Sequence, residues 1–402
     1  MIAELDDARA ALRVAAALAL GAAVSLGLAR FSYALLLGPM RADLGWSYLT
    51  AGAMNTVNAG GYMVGALLAP GWLARFDARS VLLAGCVGAA LLLAAHGAVS
   101  SDPALYALRL ATGVASAAAL VSGALLAARL AATHPKLSGL MLGVYYGGTG
   151  VGIVVSALLA PPLIALPTPH AWRWAWVALG LAAALSTVMI ATNTRALAAP
   201  PTRTGGRVPF DWRPFGFGLA GYFMFGLGYI GYMTFVITLL REQQLSTPQI
   251  VSFYVLLGFG VVASSWLWAG LLQRCRGGEA LSLLNGLLAL ATVLPVLSAH
   301  PVAVFASGLL FGSVFLSLVA STTALVRHNL PAALWAGGIS AFTIVFAVGQ
   351  IVGPSAVGWI ADTAGGLQAG LASSALALVL GAVFAWRQRP LTGTAGARSA
   401  KA

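Results

Sequence analysis

Charged residues, and acidic ones above all, are scarce in this chain of 402 residues. Only 8% of its residues are charged, against about 25% in ordinary soluble domains. The ten Asp and Glu residues lie in loops or at the ends of apolar segments. Hydrophobic residues make up 60% of the chain, in runs near the length of roughly 20 residues that a spanning helix needs. The scarcity of charge excludes a soluble globular domain and indicates a polytopic membrane protein.

Cysteine and histidine are also few, and their positions argue against catalysis. Cys86 lies inside an apolar segment and Cys275 in a turn, so a mutual disulfide is not expected. None of the five histidines lies in the middle of a span or shares a ligand spacing with another. No Ser/His/Asp set and no phosphate-binding P-loop is present. We therefore expect no catalytic residues, no metal and no cofactor, and no nucleic-acid partner.

The apolar runs predict an all-α membrane protein with twelve transmembrane helices. The predicted spans are Ala11 to Gly38, Ser47 to Leu73, Val81 to Val99, Ala104 to Ala128, Leu137 to Leu163, Ala171 to Ala191, Phe215 to Leu240, Pro248 to Leu272, Ala280 to Ala299, Val302 to Val326, Leu334 to Ala361 and Leu367 to Trp386. The first run has the length of a span rather than of a signal core, so it is expected to remain as the first helix.

The net charge of +12 is distributed by side of the membrane. If the N-terminus is cytoplasmic, seventeen of the 22 basic residues face that side and only Arg41, Arg173 and Arg241 face the other. This asymmetry follows the positive-inside rule. It predicts a multi-pass protein of the inner (plasma) membrane with both termini in the cytoplasm.

A shift of 199 residues aligns the chain with itself. Gly71 then coincides with Gly270, Gly113 with Gly312 and Gly150 with Gly349. The proline- and arginine-rich segment 193–214 separates the two copies. We expect an N-terminal six-helix half over residues 1–192, a cytoplasmic linker over 193–214, and a C-terminal half with a short tail over 215–402. Transporters built from two such repeats hold their substrate near the midplane between the halves.

With its two six-helix repeats, the chain resembles the major facilitator superfamily (MFS) of transporters over nearly its whole length. The turn after the second helix follows the family pattern at Gly71, Leu73 and Arg79, but Arg75 stands where the family has Asp. The fourth helix follows the pattern more closely, with Leu105, Arg109 and Gly113 in step. The resemblance implies the major facilitator fold, with the first and fourth helices lining a central cavity.

Four short stretches are similar to the YbfB/YjiJ-type branch of this superfamily. They are residues 27–33, 146–152, 225–235 and 349–354, with sequences GLARFSY, YGGTGVG, FGLGYIGYMTF and GQIVGP. No substrate is generally assigned to this branch, so the resemblance implies architecture rather than chemistry.

Arg30 and Arg109 are the two charged residues well inside apolar segments. An arginine at bilayer depth costs about 2.5 to 3.5 kcal/mol on insertion scales and usually faces a cavity or a specific partner. Arg30 and Tyr33 share a face of the first helix, and both arginines are predicted at similar depths. A guanidinium fork suits a carboxylate or phosphate. The alternative for each arginine is hydrogen bonding between helices, which the family motif favours for Arg109.

Other polar residues in the predicted spans complete the candidate substrate site. They lie on the second, fifth, seventh and eleventh helices: Asn55, Asn58, Tyr145, Tyr146, Tyr229, Tyr232 and Gln350. Packing and interhelical hydrogen bonds are the alternative use of each. Gly353 and Pro354 follow Gln350 and are predicted to form a flexible gating point, since proline breaks the backbone ladder.

These residues predict a secondary active or facilitative transporter of a small solute, most simply an organic anion, working by alternating access. The expected partners are this substrate and the lipid bilayer, and a coupling proton is a further candidate. One alternative is an efflux pump for neutral or apolar drugs or metabolites. Another is a membrane receptor or scaffold that does not transport. Cationic drugs are disfavoured by a cavity with two arginines and no carboxylate.

Overall fold

The structure is a computed structural model that describes residues 2–197, 210–331 and 334–391. Within these ranges the chain is helical and contains no β-strand. The predicted linker, residues 193–214, falls mostly on residues 198–209, which lie outside the described ranges.

Twelve long helices follow one another in the described ranges, and each overlaps one predicted span. The first, α1, consists of three consecutive segments, Ile2–Ala22, Ala23–Phe31 and Tyr33–Leu44. The eighth, α8, consists of Thr247–Leu267 and Ala269–Arg274. The others are α2 Tyr48–Arg75, α3 Ala78–His96, α4 Asp102–Thr133, α5 Ser138–Ile164, α6 Trp172–Asn193, α7 Gly216–Glu242, α9 Glu279–Leu297, α10 Pro301–Asn329, α11 Trp335–Thr363 and α12 Gly366–Trp386.

Among the described residues, eleven helices are long and apolar enough to cross a membrane. The remaining long helix is α2, which has 28 residues but carries Asn55, Asn58 and several glycines, and these lower its hydropathy. Its neighbours on both sides have the length and composition of spans. The described chain is therefore that of a multi-pass membrane protein.

Two interruptions of regular helix were not predicted from the sequence. The middle segment of α1, Ala23–Phe31, is a π-helix, and the Ser32 N–H donates to the Gly27 carbonyl oxygen at 3.1 Å. In α8 the helix breaks at Trp268, whose indole nitrogen donates to the Ser313 carbonyl oxygen at 2.7 Å. Such insertions carry no strong sequence signal, and π-segments are frequent at functional sites.

Close glycine contacts reveal the internal repeat in three dimensions. A Cβ atom on Gly113 would lie 2.2 Å from the Asn58 carbonyl oxygen, which brings α4 against α2. A Cβ atom on Gly312 would lie 2.1 Å from the Leu257 carbonyl oxygen, which brings α10 against α8. Both partners of the second contact lie 199 residues after those of the first. The two six-helix halves therefore use the same helix packing at corresponding positions.

The halves meet mainly along three helix pairs: α2 with α11, α5 with α8, and the last segment of α1 with α7. Glycines permit these contacts, since a Cβ atom on Gly52 of α2 would lie 2.3 Å from the Pro354 carbonyl oxygen of α11. One on Gly150 of α5 would lie 2.3 Å from the Gly258 carbonyl oxygen of α8. Small residues at helix crossings are the common basis of close packing in membranes.

One end of the bundle is closed by polar contacts between the halves. The Tyr48 and Leu49 N–H groups, at the start of α2, donate to the Asp362 carboxylate of α11 at 2.9 and 2.8 Å. The Tyr48 hydroxyl also donates to the Glu242 carboxylate of α7. We call this end, with Tyr48, Glu242 and Asp362, the closed face. Arg41 lies there as well, with its guanidinium carbon 3.7 Å from the Tyr48 ring centroid.

The turn that carries the altered family motif begins α3. The Asp77 carboxylate accepts hydrogen bonds from the Arg79 and Ser80 N–H groups at 2.9 and 3.1 Å, so Asp77 is the N-cap of this helix. Its slight burial acts to raise the pKa of Asp77, but the hydrogen bonds from Ser80 and Arg79 and the Arg79 charge outweigh it and lower that pKa. The Arg79 guanidinium donates to the Ala191 carbonyl oxygen of α6 and to the hydroxyl of Thr194, the residue that follows this helix. The turn therefore ties α3 to α6.

Candidate functional site

A cavity of about 600 Å³ lies between the two halves. Its lining comes from α1, α2, α4 and α5 of the first half and from α7, α8, α10 and α11 of the second. This volume is within the range of about 300 to 1,000 Å³ typical of small-molecule sites. The polar side chains in its lining are Arg30, Tyr62, Tyr146, Tyr229, Ser265, Ser317, Thr323, Arg327 and Gln350.

The cavity reaches the end of the bundle opposite the closed face. Ala128, Gly139, Leu272 and Arg327 belong to its lining and lie near the ends of α4, α5, α8 and α10 on that side. We call this end the open face. The interhalf contacts around Tyr48 and Asp362 lie at the other end of α2 and α11. Among the described residues, the cavity therefore reaches one end of the bundle, and contacts between the halves close the other end.

Arg30 lies in the lining of the cavity with unused donors. The residue is 3% exposed, and its Nε and Nη2 atoms are buried without a hydrogen-bond partner among the described residues. Its guanidinium carbon lies 5.7 Å from the Tyr62 ring centroid. No Asp or Glu is among the described lining residues. A buried guanidinium without a paired carboxylate is costly, because no opposite charge offsets its loss of hydration.

The π-helical segment of α1 determines how Arg30 is presented. Gly27 lies in this segment, and a Cβ atom there would meet the Gly152 Cα at 2.5 Å, so α1 and α5 touch backbone to backbone. A π-helical turn is wider than an α-helical turn, so it rotates the side chains that follow it around the helix axis. The segment ends before Ser32, whose hydroxyl donates to the Leu28 carbonyl oxygen at 2.5 Å. Arg30 is carried on the shifted turn.

Arg109 is equally buried but lies outside the cavity lining. Its Nη1 donates to the Ala29 carbonyl oxygen and its Nη2 to the Asn55 side chain, both at 3.1 Å. A longer contact of 3.4 Å joins its Nε to the Met54 carbonyl oxygen. Its guanidinium carbon also lies 4.7 Å from the Tyr33 ring centroid. Arg109 therefore ties α4 to α1 and α2, which is the interhelical role that the family motif favours.

Five other predicted substrate-binding residues also lie outside the lining, and their polar groups make contacts within the protein. The Tyr33 hydroxyl donates to Ala51, the Asn58 amide to Arg109 and the Tyr145 hydroxyl to Leu120, each at a backbone oxygen. The Asn55 amide donates to the Thr234 hydroxyl of α7 at 2.7 Å, and the Tyr232 and Ser307 hydroxyls share a bond of 2.6 Å. In this conformation these groups join helices.

The remaining predicted residues come together with Arg30. Tyr146, Tyr229 and Gln350 all line the cavity. The Tyr229 hydroxyl donates to the Gln350 Oε1 at 2.5 Å, which couples α7 to α11 inside the site. Gly353 and Pro354 lie just beyond, toward the closed face. A Cβ atom on Gly353 would meet the Leu227 carbonyl oxygen at 2.5 Å, so α11 runs close to α7 there.

Several lining residues were not predicted as site residues from the sequence. Tyr62 shares the α2 face of Asn55 and Asn58, and this spacing was the available signal. Three phenylalanines, Phe31, Phe315 and Phe346, also line the cavity. Aromatic residues are common throughout an apolar chain, so nothing in the sequence separated these three from packing residues. Arg327, at the end of α10, fits the positive-inside distribution of basic residues, so nothing in the sequence marked it as a cavity residue.

The described residues contain no group of three or more His, Cys, Asp or Glu side chains that could hold a metal ion.

Two helical halves around a cavity that opens at one end define a membrane transporter of the major facilitator type. The family model described as "Uncharacterised MFS-type transporter YbfB" matches residues 22–386. The chain therefore belongs to this family of MFS transporters.

Solved structures of MFS transporters share the fold at low identity. A bacterial homologue of the human lysosomal transporter Spinster, inward-facing and unoccupied, is 15% identical, with a TM-score of 0.70 and coverage of 93% of this chain and 96% of that one. The nucleoside transporter NupG is 15% identical, with a TM-score of 0.69 and coverage of 94% and 100%.

The human organic anion transporter MFSD10 is 17% identical to this chain, with a TM-score of 0.64 and coverage of 93% and 99%. A comparison with curated proteins finds no match. At these identities the solved structures establish the fold alone.

Proposed function

We propose that this protein transports a small organic anion by alternating access and that Arg30 binds the anionic group. The observation that carries the proposal is the buried Arg30 guanidinium, which lines the cavity while its Nε and Nη2 atoms make no hydrogen bond among the described residues. These two atoms lie on one edge of the planar fork, which matches the two oxygens of a carboxylate. Tyr146, Tyr229 and Gln350 are the proposed further contacts.

Alternating access requires that the two faces open in turn. In the described conformation the contacts of Tyr48 with Asp362 and Glu242 close one face. We propose that the halves, residues 1–192 and 215–402, rock about the cavity so that these contacts break as the open face closes. Gly353 and Pro354, beside the α7 contact, are the proposed flexible point. Such rocking is the general mode of transporters built from two repeats.

We propose that the protein lies in the inner (plasma) membrane with both termini in the cytoplasm. The positive-inside distribution of seventeen against three basic residues supports it. The open face, with Arg327 in the cavity lining, then faces the cytoplasm, and the described conformation is inward-facing. Since no Asp, Glu or His is among the described lining residues, a coupling proton would travel on the substrate itself.

The test uses the full-length protein in lipid nanodiscs and a panel of carboxylates, with affinity measured by calorimetry. Replacing Arg30 with Lys keeps the charge but loses the fork, so the affinity for the best carboxylate should fall about tenfold or more, equivalent to about 1.4 kcal/mol. Arg30→Gln should be worse. Arg75→Gln is the matched control, because Arg75 is exposed outside the cavity lining.

Flux in proteoliposomes separates the proposal from its two alternatives. An anion that binds and crosses in the wild-type protein, with both activities lost in Arg30→Gln, supports the proposal. Tight binding of a carboxylate that survives Arg30→Gln contradicts the anion site. Flux of neutral compounds with no preference for anions indicates the efflux alternative, and binding without flux indicates the receptor alternative.

A further inference from the structure

One wall of the cavity is built from stacked aromatic rings. The rings of Tyr229 and Phe346 lie 5.5 Å apart at an interplanar angle of 17°, and those of Tyr229 and Phe315 lie 5.4 Å apart at the same angle. Behind them, Phe225 stacks on Tyr229 at 4.8 Å and on Phe346 at 5.2 Å. Helices α7, α10 and α11 thus present a preformed aromatic wall, defined by Tyr229, Phe315 and Phe346, to the cavity.

The aromatic wall and the arginine fork belong to the same end of the cavity. Phe31, the residue after Arg30, meets Phe315 edge to face, with ring centroids 5.6 Å apart. The Arg30 guanidinium lies over Tyr62 on the other side. Gln350 accepts the Tyr229 hydroxyl at its Oε1, and its amide nitrogen makes no hydrogen bond among the described residues. A ring resting on the wall therefore has two polar groups near its edge, the Arg30 guanidinium and the Gln350 amide.

The rest of the cavity offers little to a polar ligand. Between this end and the open face the lining consists largely of aliphatic and small side chains, including Leu120, Ala124, Leu142, Leu316, Val319 and Ala320. Arg327 follows Phe315 by twelve positions along α10, or roughly 18 Å at about 1.5 Å per residue. A compact hydrophilic anion bound at Arg30 would gain no ring contact from the aromatic wall beside it.

We propose that the preferred substrate class is an aromatic monocarboxylate, with its ring on the wall of Tyr229, Phe315 and Phe346 and its carboxylate on Arg30. This inference rests on the proposed function and specifies its substrate. An offset or edge-to-face ring contact adds affinity beyond burial of the same area, by roughly twofold to tenfold. The carboxylate supplies the negative charge that no described lining residue offers to the Arg30 guanidinium.

Four probe compounds separate the contributions of ring and charge. Benzoate has both, cyclohexanecarboxylate has the charge without the aromatic ring, benzamide has the ring without the charge, and lactate is a compact anion. Calorimetry on the full-length protein in nanodiscs measures the four affinities. We expect benzoate to bind roughly twofold to tenfold more tightly than cyclohexanecarboxylate. Benzamide and lactate should each bind about tenfold or more weakly than benzoate.

Two variants assign the two contributions to residues. Phe346→Leu removes one ring of the wall, so the ratio of benzoate to cyclohexanecarboxylate affinity should approach one while the preference for anions remains. Arg30→Gln should instead remove the difference between benzoate and benzamide. Phe259→Leu is the matched control, because Phe259 lies on α8 with 57% exposure and outside the cavity lining. A melting curve for each variant identifies any that fails to fold, in which case Phe346→Met replaces Phe346→Leu.

The outcomes distinguish this inference from the proposed function. Equal affinities for benzoate and cyclohexanecarboxylate, or an unchanged ratio in folded Phe346→Leu, would overturn the aromatic substrate class and leave the anion site intact. Tighter binding of lactate than of benzoate would do the same. Benzamide binding as tightly as benzoate would overturn the anion site itself. Failure of every carboxylate to bind would overturn both.

Discussion

Asp362, at the end of α11, caps the first turn of α2 across the interface between the halves, with its carboxylate 2.9 Å from the Tyr48 N–H. A helix N-terminus has four N–H groups without partners inside the helix, and it carries a partial positive charge. Ser47 of the same chain segment serves as the ordinary N-cap. Asp362 adds a second cap that exists only while the halves are closed at this face. The contact therefore stabilises the described conformation, in which this face is closed.

Asp362→Ala should shift the protein toward the conformation that is open at the Tyr48 face. Loss of an N-cap carboxylate costs about 0.5 to 2 kcal/mol, which corresponds to roughly a twofold to thirtyfold change in the conformational equilibrium. In a background without Cys86 and Cys275, a cysteine at Thr56 reports the change, because Thr56 bonds to Ile351 and Ser355 inside this interface. Its labelling by a thiol reagent should accelerate.

Glu279→Ala is the control for this measurement, since Glu279 accepts the Gly277 N–H at the start of α9 and makes no contact at the closed face. Equal labelling of the Thr56 cysteine in Asp362→Ala and in its parent protein would show that the cap does not hold this face closed.

Gly52→Ala should separate α2 from α11. The added Cβ atom would lie 2.3 Å from the Pro354 carbonyl oxygen and 3.2 Å from the Phe235 ring, and a backbone atom cannot move away without moving its helix. Gly60→Ala is the matched control on the same helix, because a Cβ atom there meets nothing within 4 Å. We expect Gly52→Ala to lower the melting temperature and to increase labelling at Thr56. The same fall in melting temperature and the same increase in labelling in Gly60→Ala would show that the Gly52 contact is not their cause.

Pro354→Ala tests the predicted gating point in α11. The backbone N–H that alanine supplies can join the helix ladder, so insertion and folding should be intact while the helix becomes stiffer. We expect substrate flux in proteoliposomes to fall more than substrate affinity, because the proline is proposed to act in the motion of the halves and not in substrate contacts. Unchanged turnover at normal expression would show that the proline is dispensable for the cycle.

Arg109→Gln should destabilise the protein, in contrast to Arg30→Gln. Arg109 donates to Ala29 and Asn55 and joins three helices, and leaving buried partners unpaired costs about 1 to 3 kcal/mol. Arg30 makes no such bonds at Nε or Nη2, so its replacement should reduce affinity with little change in melting temperature. In surviving Arg109→Gln and Arg109→Lys protein, flux should be lost more than affinity. A normal melting temperature with lost affinity would instead make Arg109 a substrate ligand.

The orientation in the membrane is tested with single cysteines at Arg41 and Arg203 in a background without Cys86 and Cys275. Arg41 lies at the closed face beside Tyr48, and Arg203 belongs to the predicted linker, outside the described ranges. An impermeant thiol reagent should label the two sites from opposite sides, with Arg203 on the cytoplasmic side. Labelling of both from the same side would contradict the charge-based topology.

The candidate site was predictable in part, and the two arginines show where prediction stopped. Sequence places Arg30 and Arg109 inside apolar helices at similar depths, and both are 3% exposed or less. What distinguishes them is their surroundings. Arg109 is met by a carbonyl of α1 and an amide of α2, whereas Arg30 faces the cavity beside Tyr62. The same hydropathy pattern is compatible with either arrangement, because it reports burial and not the partner.

The sequence by itself determined the helical order, the two-fold repeat, the family and the short list of polar residues within the spans. These properties follow from composition and spacing, since the bilayer requires apolar runs of a set length and permits few charges. Only the tertiary structure shows that Arg30, on the π-helical segment Ala23–Phe31, lines the cavity. It alone also shows that Tyr229, Phe315 and Phe346 form one wall and that Asp362 caps the first turn of α2. The reason is physical: helix rotation and contacts between residues about 300 positions apart depend on backbone packing at glycines such as Gly27 and Gly52, which hydropathy does not encode.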